Sequence, residues 1–145
     1  MNMMKTKNMK MRGQRNNNPL NIKYVKTTIW VGQVRDIERS DKVFVEFTDM
    51  KYGIRAAIKL IRNYIRSGYD TIDTIVTRWC PDHTAPAYRR YVARQVSDVL
   101  PAVGRQTPIA PDDKPVIRAM VKAMAWMECQ YRVSDEEFDE AWELL

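Results

Sequence analysis

The 145-residue sequence contains a single histidine, His83, and only two cysteines, Cys80 and Cys129. A zinc site or a histidine-dependent catalytic triad would have to depend on His83 alone, which argues against both classes of site. The cysteines lie far apart and outside any CxxC pattern, so neither indicates a metal site, while a single disulfide between them stays open. No cofactor motif is present, and we expect the protein to use neither metal nor cofactor.

Long apolar runs are also missing. No stretch approaches the about 20 apolar residues that a helix needs to cross a bilayer. Residues 1–11 carry lysines but lack the apolar centre of a secretory signal, so we expect synthesis in the cytoplasm. We predict that residues 1–11 are a mobile N-terminal arm and that residues 12–145 form one domain, a length sufficient for a real core.

Acidic residues are absent from the first quarter of the chain. The net charge is +6, and the first acid, Asp36, follows eight lysines and arginines, whereas six acids crowd into residues 135–143. A basic surface favours an anionic partner, either nucleic acid or an anionic polymer of the cell envelope. The alternative is that the charges only keep the protein in solution.

An asparagine-rich loop is the most distinctive stretch. Four asparagines occur within six residues, at positions 16, 17, 18 and 21, around Pro19. Asparagine tolerates left-handed backbone angles and bonds neighbouring amides, so this pattern predicts a tightly built loop. Strand-like composition follows at residues 27–31 and 42–47, and it predicts a small antiparallel β-lobe within residues 12–50.

Helical periodicity dominates the rest of the chain. Apolar spacing predicts helices over residues 52–67, 71–79, 86–100, 113–131 and after a capping box at residues 134–137. Four prolines in residues 101–115 predict a stiff linker over residues 101–112, between the helices of residues 51–100 and those of residues 113–145. The predicted fold class is α+β, mainly α, with no internal repeat.

Glu128 is the most informative single residue, because it falls within the apolar arc of the predicted helix 113–131. Burial and the negative end of the helix dipole both disfavour an ionised carboxylate there, so we expect a raised pKa, as a general acid requires. The alternative is an ordinary ion pair with Arg132, one turn on. Glu46, in the second predicted strand, is a candidate second carboxylate.

These features resemble a known pattern. Residues 16–23 (NNNPLNIK), then Trp30-x-Gly32 and Phe44-x-x-Phe47, resemble the Asn-Asn-x-(Phe/Leu)-Gly-Ile-Lys stretch and β-lobe of bacterial N-acetylglucosaminidases. Residues 79–88 (WCPDHTAPAY) are similar to their Tyr-Ala-Thr-Asp-x-x-Tyr segment. Those enzymes share the lysozyme-like fold with lytic transglycosylases. The start RGQRNNNP also resembles small phage and prophage virion proteins that are placed in that superfamily. The resemblance covers roughly residues 12–92.

The position of the glutamate departs from this pattern. In the family the catalytic glutamate ends an apolar helix upstream of the asparagine loop, whereas residues 1–15 contain no glutamate. Residues 116–128, an apolar helix ending in Glu128, are similar to that helix. The resemblance therefore implies a circularly permuted lysozyme-like fold, with the glutamate helix near the C-terminus and residues 101–112 as the new joint. The family's Glu-Ser-Gly is replaced by Glu128-Cys-Gln.

The resemblance implies that Glu128 protonates the glycosidic oxygen of a peptidoglycan glycan strand. It leaves open whether the enzyme is a hydrolase with a second carboxylate or a lytic transglycosylase with one glutamate. It implies action at the cell wall or periplasm, or on a virion beside other virion proteins. The groove residues that it implies are Asn17, Asn21, Tyr24, Glu46 and Tyr88.

Two further functions stay open. A non-catalytic virion protein could retain the fold without the chemistry. A nucleic-acid-binding module, less favoured because no recognised binding motif is present, would use a basic stripe on the helix of residues 52–67. The stripe consists of Arg55, Lys59, Arg62 and Arg66.

Overall fold

The computed structural model describes residues 10–145; most of the predicted mobile arm, residues 1–9, lies outside them. The fold is mainly α-helical, which confirms that part of the predicted class. A 3-10 helix spans Asp36–Glu38. The α-helices of the described residues are α1 (Arg12–Arg15), α2 (Met50–Arg66), α3 (Ile72–Trp79), α4 (Ala85–Val99), α5 (Lys114–Cys129) and α6 (Asp135–Glu143).

The predicted strands differ from the observed structure. Within residues 10–145, extended pairing is limited to two isolated antiparallel bridges, Lys23 with Phe44 and Gln33 with Phe47. Residues 42–47 therefore pair with the segments on either side of residues 27–31, and the strand predicted at residues 27–31 is wrong. Strand composition stabilises a strand only where one face is buried, and Ile29 at the centre of this loop is 87% exposed.

Helix starts follow the capping residues of the sequence. The side chains of Thr71, Asp113 and Ser134 accept hydrogen bonds from the first turns of α3, α5 and α6, and the capping box predicted at residues 134–137 is confirmed. Asp49 caps α2 in the same way, so that helix begins two residues before the predicted start. Side-chain caps satisfy amides that would otherwise lack partners, which makes them a reliable sequence signal.

One hydrophobic core joins the asparagine loop to the helices. It extends from Leu20 to Ala141, and α5 lies at its centre, packed against α1, α2 and α4. Ile117, Met120 and Met124 of α5 are fully buried. Because α5 touches both the loop and α4, it can present a side chain from its last turn to both.

Residues 101–112 pack against the start of α3 and are not a free spacer. The Ile109 amide donates to the Asp70 carbonyl at 2.7 Å, and the Ile109 side chain is buried. The Asp73 amide donates to the Arg105 carbonyl at 3.1 Å, and the two side chains form an ion pair at 2.9 Å. The predicted proline-rich linker thus consists of successive turns and is firmly attached to the domain.

Among the described residues, no helix combines the length and apolar character needed to cross a membrane.

Candidate active site

The asparagine loop is held by side-chain hydrogen bonds to its own neighbours. Asn18 is fully buried; its Nδ2 donates to the carbonyls of Ile22 and Val45, both at 2.9 Å, and its Oδ1 accepts from the Ile22 amide. Asn17 and Asn21 adopt the left-handed conformation that asparagine tolerates, each with φ of 52°. The predicted tight loop is confirmed, and its bends point the Asn21 side chain toward α5.

Asp41 is the polar anchor of this region, although no sequence pattern singles it out. The Arg12 guanidinium donates to both Asp41 oxygens, at 2.6 and 2.7 Å, and Asn16 Nδ2 adds a third bond at 2.9 Å. The backbone amides of Val43 and Phe44 also donate to Asp41. These donors, the Arg12 side chain foremost, hold the pKa of Asp41 well below its usual range.

We expect Asp41→Asn to lower the free energy of unfolding by about 2 kcal/mol at pH 7, because a buried charge-assisted network loses its charge. A depressed carboxylate pKa stabilises the fold above the unfolded-state value of 3.8 and loses that contribution as pH falls below it. Urea titrations between pH 7 and pH 2.5 should therefore show that the free energy of unfolding falls less with decreasing pH in the variant than in the wild type. An equal or larger decrease in the variant would contradict the role assigned to Asp41.

The last turn of α5 brings Glu128 to the asparagine loop. Asn21 Nδ2 donates to Glu128 Oε1 at 3.1 Å and to the Glu128 carbonyl at 3.2 Å. The Tyr88 hydroxyl, from α4, donates to Glu128 Oε2 at 3.0 Å. Each carboxyl oxygen thus has one neutral donor, and the side chain is half-buried. Three separated parts of the sequence meet at this carboxyl group.

The ion pair considered for Glu128 does not form. Arg132 instead places its guanidinium over the Trp126 ring, 4.3 Å from the ring centre. Within the described part of the chain, no cationic side chain lies within ion-pair distance of Glu128. The carboxyl group therefore has only neutral hydrogen-bond partners.

Burial raises the pKa of Glu128 above its ordinary value of 4.5. The hydrogen bonds from Asn21 and Tyr88 oppose this shift by stabilising the carboxylate, and the negative charge of Asp82 adds to it. Burial also raises the pKa of Tyr88 well above its usual range, so the phenol stays a donor at neutral pH. The Glu128 carboxyl therefore keeps its proton to a higher pH than an ordinary glutamate does, which suits a general acid.

A groove of about 530 Å³ opens beside Glu128, within the size range of small-ligand sites. Four aromatic side chains line it, Trp30, Phe44, Tyr64 and Trp79. The Trp79 indole is fixed by its Nε1, which donates to the Leu20 carbonyl at 3.1 Å. Aromatic faces suit the apolar faces of sugar rings. The lining includes Asn21, Lys23, Trp30, Tyr64, Arg78, Trp79, Asp82 and Glu128.

Of the predicted groove residues, Asn21 and Tyr88 contact Glu128 and the other three do not line the groove. Asn17 Nδ2 donates to the Phe47 carbonyl at 3.0 Å, and the Tyr24 hydroxyl donates to Asp36 at 2.9 Å. Glu46 accepts from the backbone amides of residues 40 and 41. Glu46 therefore braces a turn, and the structure does not bring it to Glu128.

The groove also contains residues that sequence reasoning missed as site residues. Asp82 is its second carboxylate, and hydrogen bonds from the Thr84 hydroxyl and amide lower its pKa. Trp30 and Trp79 form part of its walls. Both tryptophans lie in the segments for which a resemblance to N-acetylglucosaminidases was noted from the sequence. That resemblance was the available signal for them.

A second groove, of about 450 Å³, lies between α4 and α5 and includes Trp126 and Arg132. The carboxylate among its lining residues, Asp135, is neutralised by Lys122 at 2.8 Å. This groove therefore offers no acid with a raised pKa. The groove at Glu128 is the better candidate for chemistry.

The basic stripe on α2 is partly covered by the C-terminal segment. Arg55 Nε donates to the Leu144 carbonyl at 3.1 Å, and the Arg62 guanidinium lies 5.3 Å from the centre of the Trp142 ring. Arg66 remains exposed. A stripe occupied in this way presents few free cations to a phosphate backbone.

Cys80 and Cys129 are both free thiols. Across residues 10–145, no three histidine, cysteine or acidic side chains are grouped closely enough to hold a metal ion.

Comparison with known proteins gives one partial similarity. No protein-family profile matches the chain. A segment of 74 aligned residues is 39% identical to Protein P5 of Pseudoalteromonas phage PM2. The alignment covers 49% of this chain and 45% of Protein P5, so it spans less than half of that relative's length. The chain is therefore similar in part to a phage protein.

Proposed function

We propose that the protein cleaves the glycan strand of peptidoglycan, with Glu128 as the general acid. The observation that carries this proposal is the Glu128 carboxyl, half-buried at the edge of the groove and held by Asn21 and Tyr88, with no cationic partner among residues 10–145. A protonated carboxyl in such a place can donate to a glycosidic oxygen at neutral pH.

We further propose that the reaction is that of a lytic transglycosylase. A hydrolase of the usual kind needs a second carboxylate. Glu46 lies outside the groove, and one oxygen of Asp82, Oδ1, accepts hydrogen bonds from the Thr84 amide and hydroxyl. Glu128 would give its proton to the leaving oxygen as the glycosidic bond breaks. The resulting carboxylate would then take the proton of the sugar's own C6 hydroxyl as that oxygen closes onto the anomeric carbon.

The groove walls fit this substrate class. Trp30, Tyr64 and Trp79 provide aromatic faces for sugar rings. Lys23 and Arg78 line the same groove, and their positive charges suit the carboxylates of the peptides attached to the glycan. We propose further that the fold is a circularly permuted lysozyme-like fold. In it the catalytic acid lies on α5, near the C-terminus of the chain.

The direct test is digestion of purified peptidoglycan followed by mass spectrometry of the soluble fragments. We expect fragments that end in an anhydro sugar. Such fragments lack the elements of one water and are therefore about 18 Da lighter than the products of hydrolysis. Reducing ends would replace the transglycosylase assignment by a hydrolase. The absence of any released fragment, with the protein folded, would contradict the proposal.

Tyr88→Phe should move the alkaline limb of the pH–rate profile to higher pH. The Tyr88 hydroxyl stabilises the Glu128 carboxylate, so its removal should raise the pKa of Glu128 further and keep the acid protonated over a wider range. The maximal rate should fall by roughly tenfold because the carboxyl is less well oriented. Cleavage rates between pH 4 and pH 9 measure both effects. A limb shifted toward lower pH would contradict this role.

A second proposal concerns location. Because part of the chain is 39% identical to Protein P5 of a phage, we propose that the protein is carried on a phage particle. Mass spectrometry of purified particles, produced from a genome that encodes this chain, should detect it after high-salt washing. Its presence only in the infected-cell lysate would contradict this location, whether or not the protein is active.

A further inference from the structure

Exposed aliphatic side chains are concentrated on one part of the surface. Of the eleven large apolar residues that are exposed in the described chain, five fall within residues 25–43. Ile29 and Ile37 are 87% and 86% exposed, more than any other residue of this group. We name these five side chains the aliphatic patch: Val25, Ile29, Val31, Ile37 and Val43.

The segments that carry the patch lie side by side. The Tyr24 amide donates to the Val43 carbonyl at 2.8 Å, and the Tyr24 hydroxyl donates to Asp36 at 2.9 Å. The Thr28 amide donates to the Val25 carbonyl at 3.0 Å, which turns the chain back at the start of the loop. The patch therefore lies on adjoining loops of the domain.

The charges around the patch are unbalanced toward positive. Each nearby acid has an internal partner: Asp36 bonds Tyr24, Asp41 bonds Arg12, and Glu38 bonds Arg35. The nearby lysines are exposed and form no ion pair within residues 10–145. These lysines are Lys26 and Lys42.

We propose that the aliphatic patch and its two lysines dock the protein on an anionic lipid surface. Stable attachment to a membrane takes two signals, here apolar side chains that enter the interface and cations that attract the headgroups, and both are present. Protein interfaces rely instead on aromatic and arginine anchors seated in pockets, with valine under-represented. Isolated valine and isoleucine side chains on projecting loops fit a lipid surface better than an acidic protein.

Vesicle co-sedimentation tests the proposal without any activity measurement. The wild-type chain should bind vesicles of 70% phosphatidylcholine and 30% phosphatidylglycerol at least about tenfold more tightly than pure phosphatidylcholine, since each lysine near an anionic surface contributes about 1 kcal/mol, roughly fivefold. Ile29→Ser/Ile37→Ser should weaken the binding by about tenfold or more. Both side chains are almost fully exposed, so the variant should fold normally.

A charge-matched pair separates specific docking from general attraction. Lys26→Glu/Lys42→Glu should abolish the preference for phosphatidylglycerol, whereas Arg66→Glu/Arg90→Glu, with the same net charge and exposed positions elsewhere, should retain most of it. Equal losses in both variants would overturn the proposal. Vesicle binding that is unchanged in Ile29→Ser/Ile37→Ser would also overturn it. Binding to polyglutamate-coated beads without binding to vesicles would overturn it as well, and would indicate an acidic protein partner.

Discussion

Replacing Gly53 by alanine should destabilise the fold by about 3 kcal/mol, near the upper end of the cost of overpacking. Gly53 lies in the first turns of α2, where the asparagine loop crosses the helix. A Cβ at this position would lie 1.8 Å from the Asn17 carbonyl oxygen and 3.0 Å from Pro19 Cδ. These neighbours are backbone and a proline ring, so neither can turn aside, and the loop would have to leave the helix.

Gly104→Ala is the matched control, because its Cβ would meet only the Thr107 hydroxyl, at an ordinary 3.6 Å. We expect a change of less than about 1 kcal/mol there, in the stabilising direction if the backbone accepts alanine. Urea unfolding followed by tryptophan fluorescence measures both variants. Equal stabilities of the two variants would contradict the close contact between the asparagine loop and α2 at Gly53.

Glu128→Gln should reduce glycan cleavage by about 10³-fold, since general acid catalysis contributes roughly 10²–10⁴-fold. The amide keeps the shape and can still contact Asn21 and Tyr88, but it has no proton to give to a glycosidic oxygen. Substrate binding should therefore change little while the rate of the chemical step falls. Rates of fragment release at saturating peptidoglycan measure the effect.

The same variant should be more stable than the wild type at neutral pH. Burial raises the pKa of Glu128 in the folded state, so ionisation opposes folding once the pH exceeds the ordinary value of 4.5. Glutamine removes this cost, and we expect the Tm at pH 7 to rise by a few degrees, roughly 2–4 °C. The advantage should vanish near pH 4. Glu136→Gln, at an exposed position on α6, is the control and should change neither rate nor Tm.

An inactive Glu128→Gln variant with a lowered Tm would mean that the glutamate is structural and would separate loss of fold from loss of chemistry. Full activity in a folded variant would contradict the catalytic assignment outright.

The helices and their starts could be predicted because their signals are local. Thr71, Asp113 and Ser134 cap the helices that follow them, and the apolar spacing of α2 and α5 identifies their buried faces. The placement of Glu128 on the apolar side of α5 was sufficient to predict a half-buried carboxyl. Its contact with Asn21 required a long-range hypothesis, that the C-terminal helix returns to the N-terminal loop, and the observed hydrogen bonds confirm that contact.

What could not be predicted depends on tertiary partners. The β-branched composition of residues 27–31 indicates a strand, but no sheet face covers them, and Ile29 points away from the core. Tyr24 was expected in the groove because it follows the asparagine loop directly, and Glu46 because its predicted strand would pair beside that loop. The Tyr24 hydroxyl instead donates to Asp36, and the Glu46 carboxylate accepts from the turn at residue 40. The anchoring role of Asp41 depends on Arg12 and Asn16, which no local pattern connects to it.

Carbon-13 NMR of the glutamate side-chain carboxyl carbons measures the pKa of Glu128 directly and without any substrate. The Glu128 resonance is assigned by comparison with Glu128→Gln. We expect the Glu128 resonance to titrate above the ordinary pKa of 4.5, and Tyr88→Phe to move its midpoint higher still. A Glu128 resonance that titrates at or below 4.5 in the folded wild-type protein would contradict its role as the proton donor of this groove.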